Sequence, residues 1–377
     1  MKKIAVFLGD YFWSSVPYDG LDVQDRLMWT VDRDVDLLMF SQDIRLNKTF
    51  DGHEQYWFDV EKFKTNANLK TIKDWADFCR ASSDYDLILT STHIAPKERY
   101  PHGLKKLSKC NIACWDIGGG DILTNGVHFS THFFVKGPAW KDWLINLGKE
   151  EKDVFVTGSP HYDGYGATMT KESFFEKYGV QPSQRIILVC PSNPGSHKEQ
   201  FKQNIEVLRK IIDDAPNHNV RVLVKTYPHD YVFHEHQGQY TGVYKRFYTN
   251  KPQYELIKEM FPSVTIVHSQ DHHSAIKWCS ALFNMSGSHV SWETLFSQAK
   301  SYSMNYENKP YFGGVNYLKG VQYPDSRYNF DMKQHSDIFQ FSSDLEPKTH
   351  EEFITKTHAA SNIAQCVRKM LDVKNHI

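Results

Sequence analysis

The stretch FNMSGSHVSWETLFSQAKSYSMN (283–305) sets Ser286, Gly287 and Ser288 between a short apolar run and a helix-like segment, with Glu293 inside that segment. At a strand-to-helix junction the first backbone N–H groups are unpaired, an anion is welcome, and glycine lets it come close to the backbone. The two serines either cap the helix or donate hydroxyls to a phosphate. Glu293 lies on an apolar helix face between Trp292 and Leu295. A carboxylate without a task is out of place there, and ribose hydroxyls are suitable partners for it. A second group sits in the loop PSNPGSH, where Ser192, Asn193 and Ser196 offer hydroxyl and amide groups to phosphates and Gly195 permits a close turn. Lys225, at the end of VRVLVK, would neutralise a diphosphate or a sugar acid; a solvated strand-end lysine is the competing reading. Three aspartates stand in suitable loops: Asp116 and Asp121 around the three glycines of WDIGGGD, and Asp10 after the first apolar run. For each of them a turn-forming or capping role competes.

Other chemistries fit less well. His229, His234, His236, His272 and His273 cluster in sequence, but they lack the H-E-x-x-H spacing that puts two ligands on one helix face, so no metal is expected. The pairs Asp32/Asp34, Asp34/Asp36 and Asp84/Asp86 lead into apolar runs rather than lying in a metal-diphosphate loop. The run DIGGGD lacks G-x-G-x-x-G after the first strand, which argues against a dehydrogenase. Charge would then be handled by helix ends and lysine, without a cofactor.

These residues need elements to hold them at one edge. In the second half, RIILVC (185–190), VRVLVK (220–225), VTIVH (264–268), ALFN (281–284) and SYSM (301–304) read as buried strands. Helical spacing recurs over 199–212, 254–260, 273–280 and 290–298. Apolar strands alternating with amphipathic helices predict a parallel sheet covered on both faces. In such sheets ligands sit beyond the carboxyl ends of the strands. The first half repeats the pattern with strands over 3–8, 35–40, 86–89, 111–115 and 132–135 and helices over 69–80 and 139–147. A polar, Gly-containing segment at 157–170 is the expected hinge, and 349–373 has a long helix pattern.

Composition sets the frame. The chain has 377 residues, enough for two domains with separate cores, and its 40% hydrophobic residues are ordinary for a globular protein. Formal net charge is −1, so the overall footprint of a nucleic-acid binder is missing and an anionic ligand must be caught locally. The six cysteines (Cys79, Cys110, Cys114, Cys190, Cys279, Cys366) are scattered and read as reduced thiols of a cytoplasmic protein. No apolar run is long enough to span a bilayer, so any membrane contact would be peripheral. No feature of the sequence sets an oligomeric state.

Five segments in order now carry a resemblance. The small-residue turn SGS with WET and KSYSMNY resembles the donor-nucleotide segment of GT-B glycosyltransferases and their relatives, the UDP-GlcNAc 2-epimerases and the CDP-glycerol glycerophosphotransferases of teichoic acid synthesis. VFVTGSPHYD is similar to the linker before their second domain, and IILVCPSNPGS to that domain's first strand and loop. FFVKGPAWKDWL is similar to the end of the first domain, and VRVLVKTYPHD to a K-x-H-P strand end. The similarity covers roughly residues 110 to 310. It implies an α/β chain of two Rossmann-like domains facing across a cleft (GT-B). Residues 1–160 would be the acceptor side, 161–345 the nucleotide-donor side, and 346–377 a C-terminal helix returning to the first domain.

The resemblance also assigns roles. Ser192, Asn193, Lys225, Ser286, Gly287, Ser288 and Glu293 would bind a nucleotide sugar, joined by Tyr227 and His229 where the relatives have His-Pro. Where the glycerophosphotransferases have Trp-His-Gly, this chain has Trp115-Asp116-Ile117-Gly118, so an aspartate would replace a histidine base. An inverting transferase needs such a base to take the acceptor hydroxyl's proton, which makes Asp116 the expected catalytic residue with Asp10 and Asp121 as rivals. The expectation is therefore a metal-independent glycosyltransferase that moves a sugar from a nucleotide donor to a carbohydrate acceptor in surface polysaccharide or glycan synthesis. An epimerase-type enzyme that uses the same donor site without an acceptor is the first alternative. A non-catalytic nucleotide- or carbohydrate-binding relative is the second.

Overall fold

A computed structural model of the chain describes residues 3–8, 35–40, 68–73, 75–91, 111–115, 130–159, 162–163, 166–191, 198–226, 253–268, 271–285, 290–297, 299–303, 339 and 358–373. The chain divides into two units, one made of Met1–Tyr165, Tyr317–Val321 and Thr349–Ile377, the other of Gly166–Asn316 and Gln322–Lys348. Each contains one sheet whose described strand pairs are all parallel.

The first sheet has seven strands: β1 (Ile4–Leu8), β2 (Val35–Phe40), β3 (Asn68–Ile72), β4 (Leu87–Ser91), β5 (Asn111–Trp115), β6 (His132–Val135) and β7 (Val154–Val156). Their order is β3-β2-β1-β4-β5-β6-β7, so the direction of winding reverses between β1 and β4. Helix α1 (Trp75–Ser82) follows β3, and α2 (Pro138–Asn146) follows β6 with Pro138 in its first turn, where a missing N–H costs nothing. Ala5, Phe7, Leu38, Ile72, Phe78, Tyr85 and Ile88 form one core of this unit. Lys136 is wholly buried at the end of β6, its ammonium 4.0 Å from the Trp140 ring centre, a cation–π contact that helps a buried charge.

The helix expected over 69–80 divides instead into β3 and α1. Leu69 and Ile72 fit either period, and pairing decides: Asn68–Ile72 lies along Asp36–Phe40 of β2. Being an edge strand, it can turn Lys70 outward, where the ammonium lies 2.8 Å from Asp36 and donates to the Tyr85 hydroxyl. The three-residue β7 went unforeseen because VFV was absorbed into the expected linker.

The second unit opens with α3 (Lys171–Lys177), which sequence periodicity also missed; Thr170 caps it by accepting from the Ser173 N–H. Five strands follow: β8 (Arg185–Cys190), β9 (Val220–Val224), β10 (Thr265–Ile266), β11 (Ala281–Asn284) and β12 (Lys300–Ser303). Their order is β10-β9-β8-β11-β12. The helices between them are α4 (Lys198–Asp214), α5 (Gln253–Met260), α6 (His272–Trp278) and α7 (Val290–Glu293). Strand β8 shows why the sequence is apolar throughout: Ile187 and Val189 join Leu208, Ile211 and Ile257 on one face, while Ile186, Leu188 and Cys190 join Phe174, Ala275 and Ile276 on the other.

Two expected elements are shorter than their apolar patterns. The strand expected over 264–268 keeps only Thr265–Ile266, because the His268 N–H leaves the ladder for the Tyr178 hydroxyl. The helix expected over 290–298 is one turn of α-helix tightening into a 3₁₀ turn at Thr294–Phe296, with Ser297 extended so that the chain can enter β12.

The chain ends in α8 (Ala359–Val373), which belongs to the first unit. Residues 349–357 of the expected long helix lie outside the described residues. Its first two N–H groups are held by one carboxylate, Ala359 N to Asp163 Oδ1 at 2.7 Å and Ala360 N to Asp163 Oδ2 at 2.8 Å. The Asn362 amide donates to the Thr157 carbonyl at 3.0 Å. Asp163→Ala is expected to lower stability by about 1–2 kcal/mol, the loss of a good N-cap, and Asp163→Asn by less; urea midpoints of the two variants check this. Among the described residues no helix is long and apolar enough to cross a membrane.

Candidate functional site

Winding in the second sheet reverses between β8 and β11, and an open parallel sheet gathers ligands at such a point, beyond its carboxyl edge. Register brings two distant loops together there. Asn284, the last residue of β11, lies opposite Cys190, the last residue of β8, and the Met285 N–H donates to the Cys190 carbonyl at 2.9 Å. The chain therefore enters the loops carrying Ser192–Asn193 and Ser286–Gly287–Ser288 side by side. Those five residues, with Tyr227 and His229, lie outside the described residues, as do Asp10, Asp116 and Asp121 after strands of the first sheet.

Two expected site residues are described, and both are at this edge. Lys225 directly follows β9, and its N–H donates to the Val189 carbonyl of β8 at 2.9 Å. Glu293 ends α7 and is wholly buried. The thiol of Cys190 reports on both: burial is the main cause that pushes its pKa up to about 12, the Lys225 ammonium opposes this and the Glu293 carboxylate adds to it. A cation and an anion thus stand within electrostatic reach of the end of β8. Gln253, the first residue of α5 and also buried, donates to the Pro191 carbonyl at 3.4 Å and so steadies the start of the loop after β8.

A fully buried carboxylate is costly unless it is hydrogen-bonded. Glu293 has a direct partner in His272, the first residue of α6, whose Nε2 contacts Oε2 with both side chains almost wholly out of solvent. With the carboxylate ionised it can only accept, so Nε2 carries the proton and donates. The neighbouring His273 is buried too, its ring centre 5.5 Å from that of His272.

The start of α6 is itself held from another side. The Tyr178 hydroxyl at the end of α3 donates to Asp271 Oδ2, and the Lys177 ammonium lies 2.6 Å from the same oxygen. Burial, then the Asp271 carboxylate, raises the pKa of Tyr178, so the phenol stays a donor. Ser274 Oγ accepts from the Thr168 and Met169 N–H groups, both at 3.0 Å, and the Trp278 indole donates to the Met169 carbonyl.

Among the described residues, His272, His273 and Glu293 form a set whose ligand atoms come within 4.8 Å of one another, as a metal site would require. In this arrangement the atoms of His272 and Glu293 are engaged with each other. Sequence reasoning singled out Glu293 but weighed His272 only as a metal ligand. The one signal for it was the polar D-H-H at a helix start, since no local spacing links residue 272 to residue 293.

The chain matches no protein-family profile, and no curated protein matches it in sequence. Solved structures do resemble it. One is the MnaA–UDP co-structure of S. aureus, with a TM-score of 0.52 at 11% identity, covering 99% of this chain and 97% of that one. A second is the UDP-GlcNAc 2-epimerase of Neisseria meningitidis bound to UDP-GlcNAc, with a TM-score of 0.52 at 11% identity, covering 98% and 99%. A third is the UDP-GlcNAc 2-epimerase of Methanocaldococcus jannaschii, with a TM-score of 0.50 at 11% identity, covering 97% and 99%. At that identity the likeness is one of fold, two Rossmann-like parallel sheets as in the GT-B architecture. It corrects the functional expectation: two of these three structures are UDP-GlcNAc 2-epimerases and none is named a glycosyltransferase, and the transferase reading falls. The carbohydrate acceptor, and an aspartate base serving its hydroxyl, fall with it. The physical reason is that the segments behind the resemblance bear at most on a nucleotide site and say nothing of a second substrate.

Proposed function

We propose that this chain is an enzyme acting on a UDP-linked N-acetylhexosamine, epimerising the sugar at C2 without an acceptor. The observation that carries the reading is Glu293, a carboxylate wholly buried at the carboxyl edge of the second sheet beside the β8–β11 reversal, where a nucleotide would lie. In this reading Glu293 accepts from the ribose hydroxyls and Lys225 balances the diphosphate. Ser286, Gly287 and Ser288 let the backbone approach the phosphates, and Ser192 and Asn193 add hydroxyl and amide donors. Tyr227 and His229 complete the nucleotide-sugar contacts. Epimerisation requires a base to take the C2 proton while the electron pair forms a C1=C2 double bond and expels UDP from C1; UDP then adds back at C1 as a proton is delivered to the other face of C2, and Asp116, Asp10 and Asp121 are the proposed groups for the proton transfers. The nucleotide sugar is the substrate, and neither metal nor cofactor enters the proposal.

The test is incubation with UDP-GlcNAc in deuterated water with no acceptor, followed by proton NMR. The expected result is appearance of the C2 epimer with deuterium at C2. A protein that neither binds UDP nor exchanges the C2 proton of UDP-linked hexosamines would end the proposal.

A further inference from the structure

Resting on that reading, we infer that His272 is a positioning residue: its imidazole fixes the pose of the Glu293 carboxylate and thereby makes the site select a nucleotide with an intact ribose diol. The two side chains meet from different elements, α6 and α7, and both are buried. Helix α6 gives the imidazole a fixed base. Helix α6 is tied by Asp271 to Tyr178 and Lys177, by Ser274 to the backbone of Thr168 and Met169, and by Trp278 to Met169. Glu293 stands at the junction of a four-residue helix and a 3₁₀ turn. The imidazole is the fixed partner, and the carboxylate takes its orientation from it.

Selectivity follows from geometry. A carboxylate has about four acceptor positions in one plane, and one imidazole N–H uses one of them. When Oε2 is held by Nε2, the carboxylate plane stops rotating and its acceptor directions become fixed in space. Two adjacent hydroxyls demand two acceptor directions at once, which a rotating carboxylate offers only part of the time. The diol of a ribose therefore gains more from the His272 contact than the base or the diphosphate, neither of which addresses Glu293 in the proposed pose. A residue that merely filled the core would affect every nucleotide alike.

The experiment titrates the full chain with UDP and with 2′,3′-dideoxy-UDP by calorimetry. Wild type is expected to prefer UDP by at least about a hundredfold, the usual scale of two hydrogen bonds to a charged group. His272→Leu should lower that preference by at least about tenfold, with affinity for the dideoxy nucleotide changed by no more than about twofold. His272→Gln, whose amide can donate to the carboxylate, should restore most of the preference. His272→Asn keeps polarity but is too short to reach Oε2, so it should behave as the leucine variant does and replaces it if the leucine variant does not fold. A folded Leu or Asn variant that retains the wild-type preference overturns the inference, and so does one that loses affinity for both nucleotides equally. A wild type that binds neither nucleotide overturns the functional reading, and the role of His272 goes with it.

Discussion

Exchanging Glu293 for Gln is expected to weaken UDP binding by about a hundredfold and to reduce turnover at low substrate in the same proportion, while the chain still folds. The substitution keeps size and one carbonyl acceptor, so the cavity is filled and His272 Nε2 still has a partner. What is lost is the charge. Hydrogen bonds to a charged acceptor contribute about 1.5–3 kcal/mol each, roughly twice a neutral one, and a diol makes two of them. The remaining carbonyl recovers part, which places the net loss near 2.7 kcal/mol, or about a hundredfold. Glu293→Ala should be worse for stability, because it leaves a void and removes the partner of a buried imidazole. Calorimetric titration with UDP, beside a thermal melt to separate binding from folding, decides the matter; unchanged affinity in a folded E293Q protein would remove Glu293 from the site.

Phe283→Ala should be the most damaging single change among the second unit's strands, at about 3–5 kcal/mol. Phe283 is 1% exposed on β11, the strand that leads into the Ser-Gly-Ser turn. Its ring stacks on Tyr302 of β12 with centres 5.1 Å apart, and the two share a core with Ile187, Val189 and Leu208. Truncation removes apolar burial, opens a cavity between β11 and the helix layer, and ends a ring contact that contributes about 1 kcal/mol by itself. Phe283→Leu should lose less than half as much, since most of the volume remains. Urea unfolding followed by tryptophan fluorescence and circular dichroism reports the loss, with the two units analysed as separate transitions if the probes disagree.

How much of this was legible beforehand depends on which interaction sets each feature. Strands such as RIILVC and VRVLVK were plain, because a strand covered on both faces must be apolar at every position. The two edge strands of the first sheet were not. Asn68–Ile72 and Val154–Val156 owe their conformation to a neighbouring strand that supplies the ladder, and Leu69 and Ile72 suit a helix as well as a sheet. The end of β10 was misjudged for a related reason, since a tyrosine hydroxyl from another element takes the N–H that the apolar pattern promised to the ladder. The functional expectation went wrong at a different level. The segments behind it bear at most on a nucleotide site, and the similarity of the fold to two UDP-GlcNAc 2-epimerases overturned the transferase expectation.

The sequence by itself determined the alternation that makes two parallel sheets, the loops at their carboxyl edges, and the oddity of a glutamate on an apolar helix face. These are local properties, set by period, turn chemistry and polarity. Only the tertiary structure decided that β11 lies against β8, so that the loops after Cys190 and Asn284 start from one place, and that His272 meets Glu293. Strand order and side-chain pairing across elements are set by packing of the whole unit. No spacing along the chain encodes them.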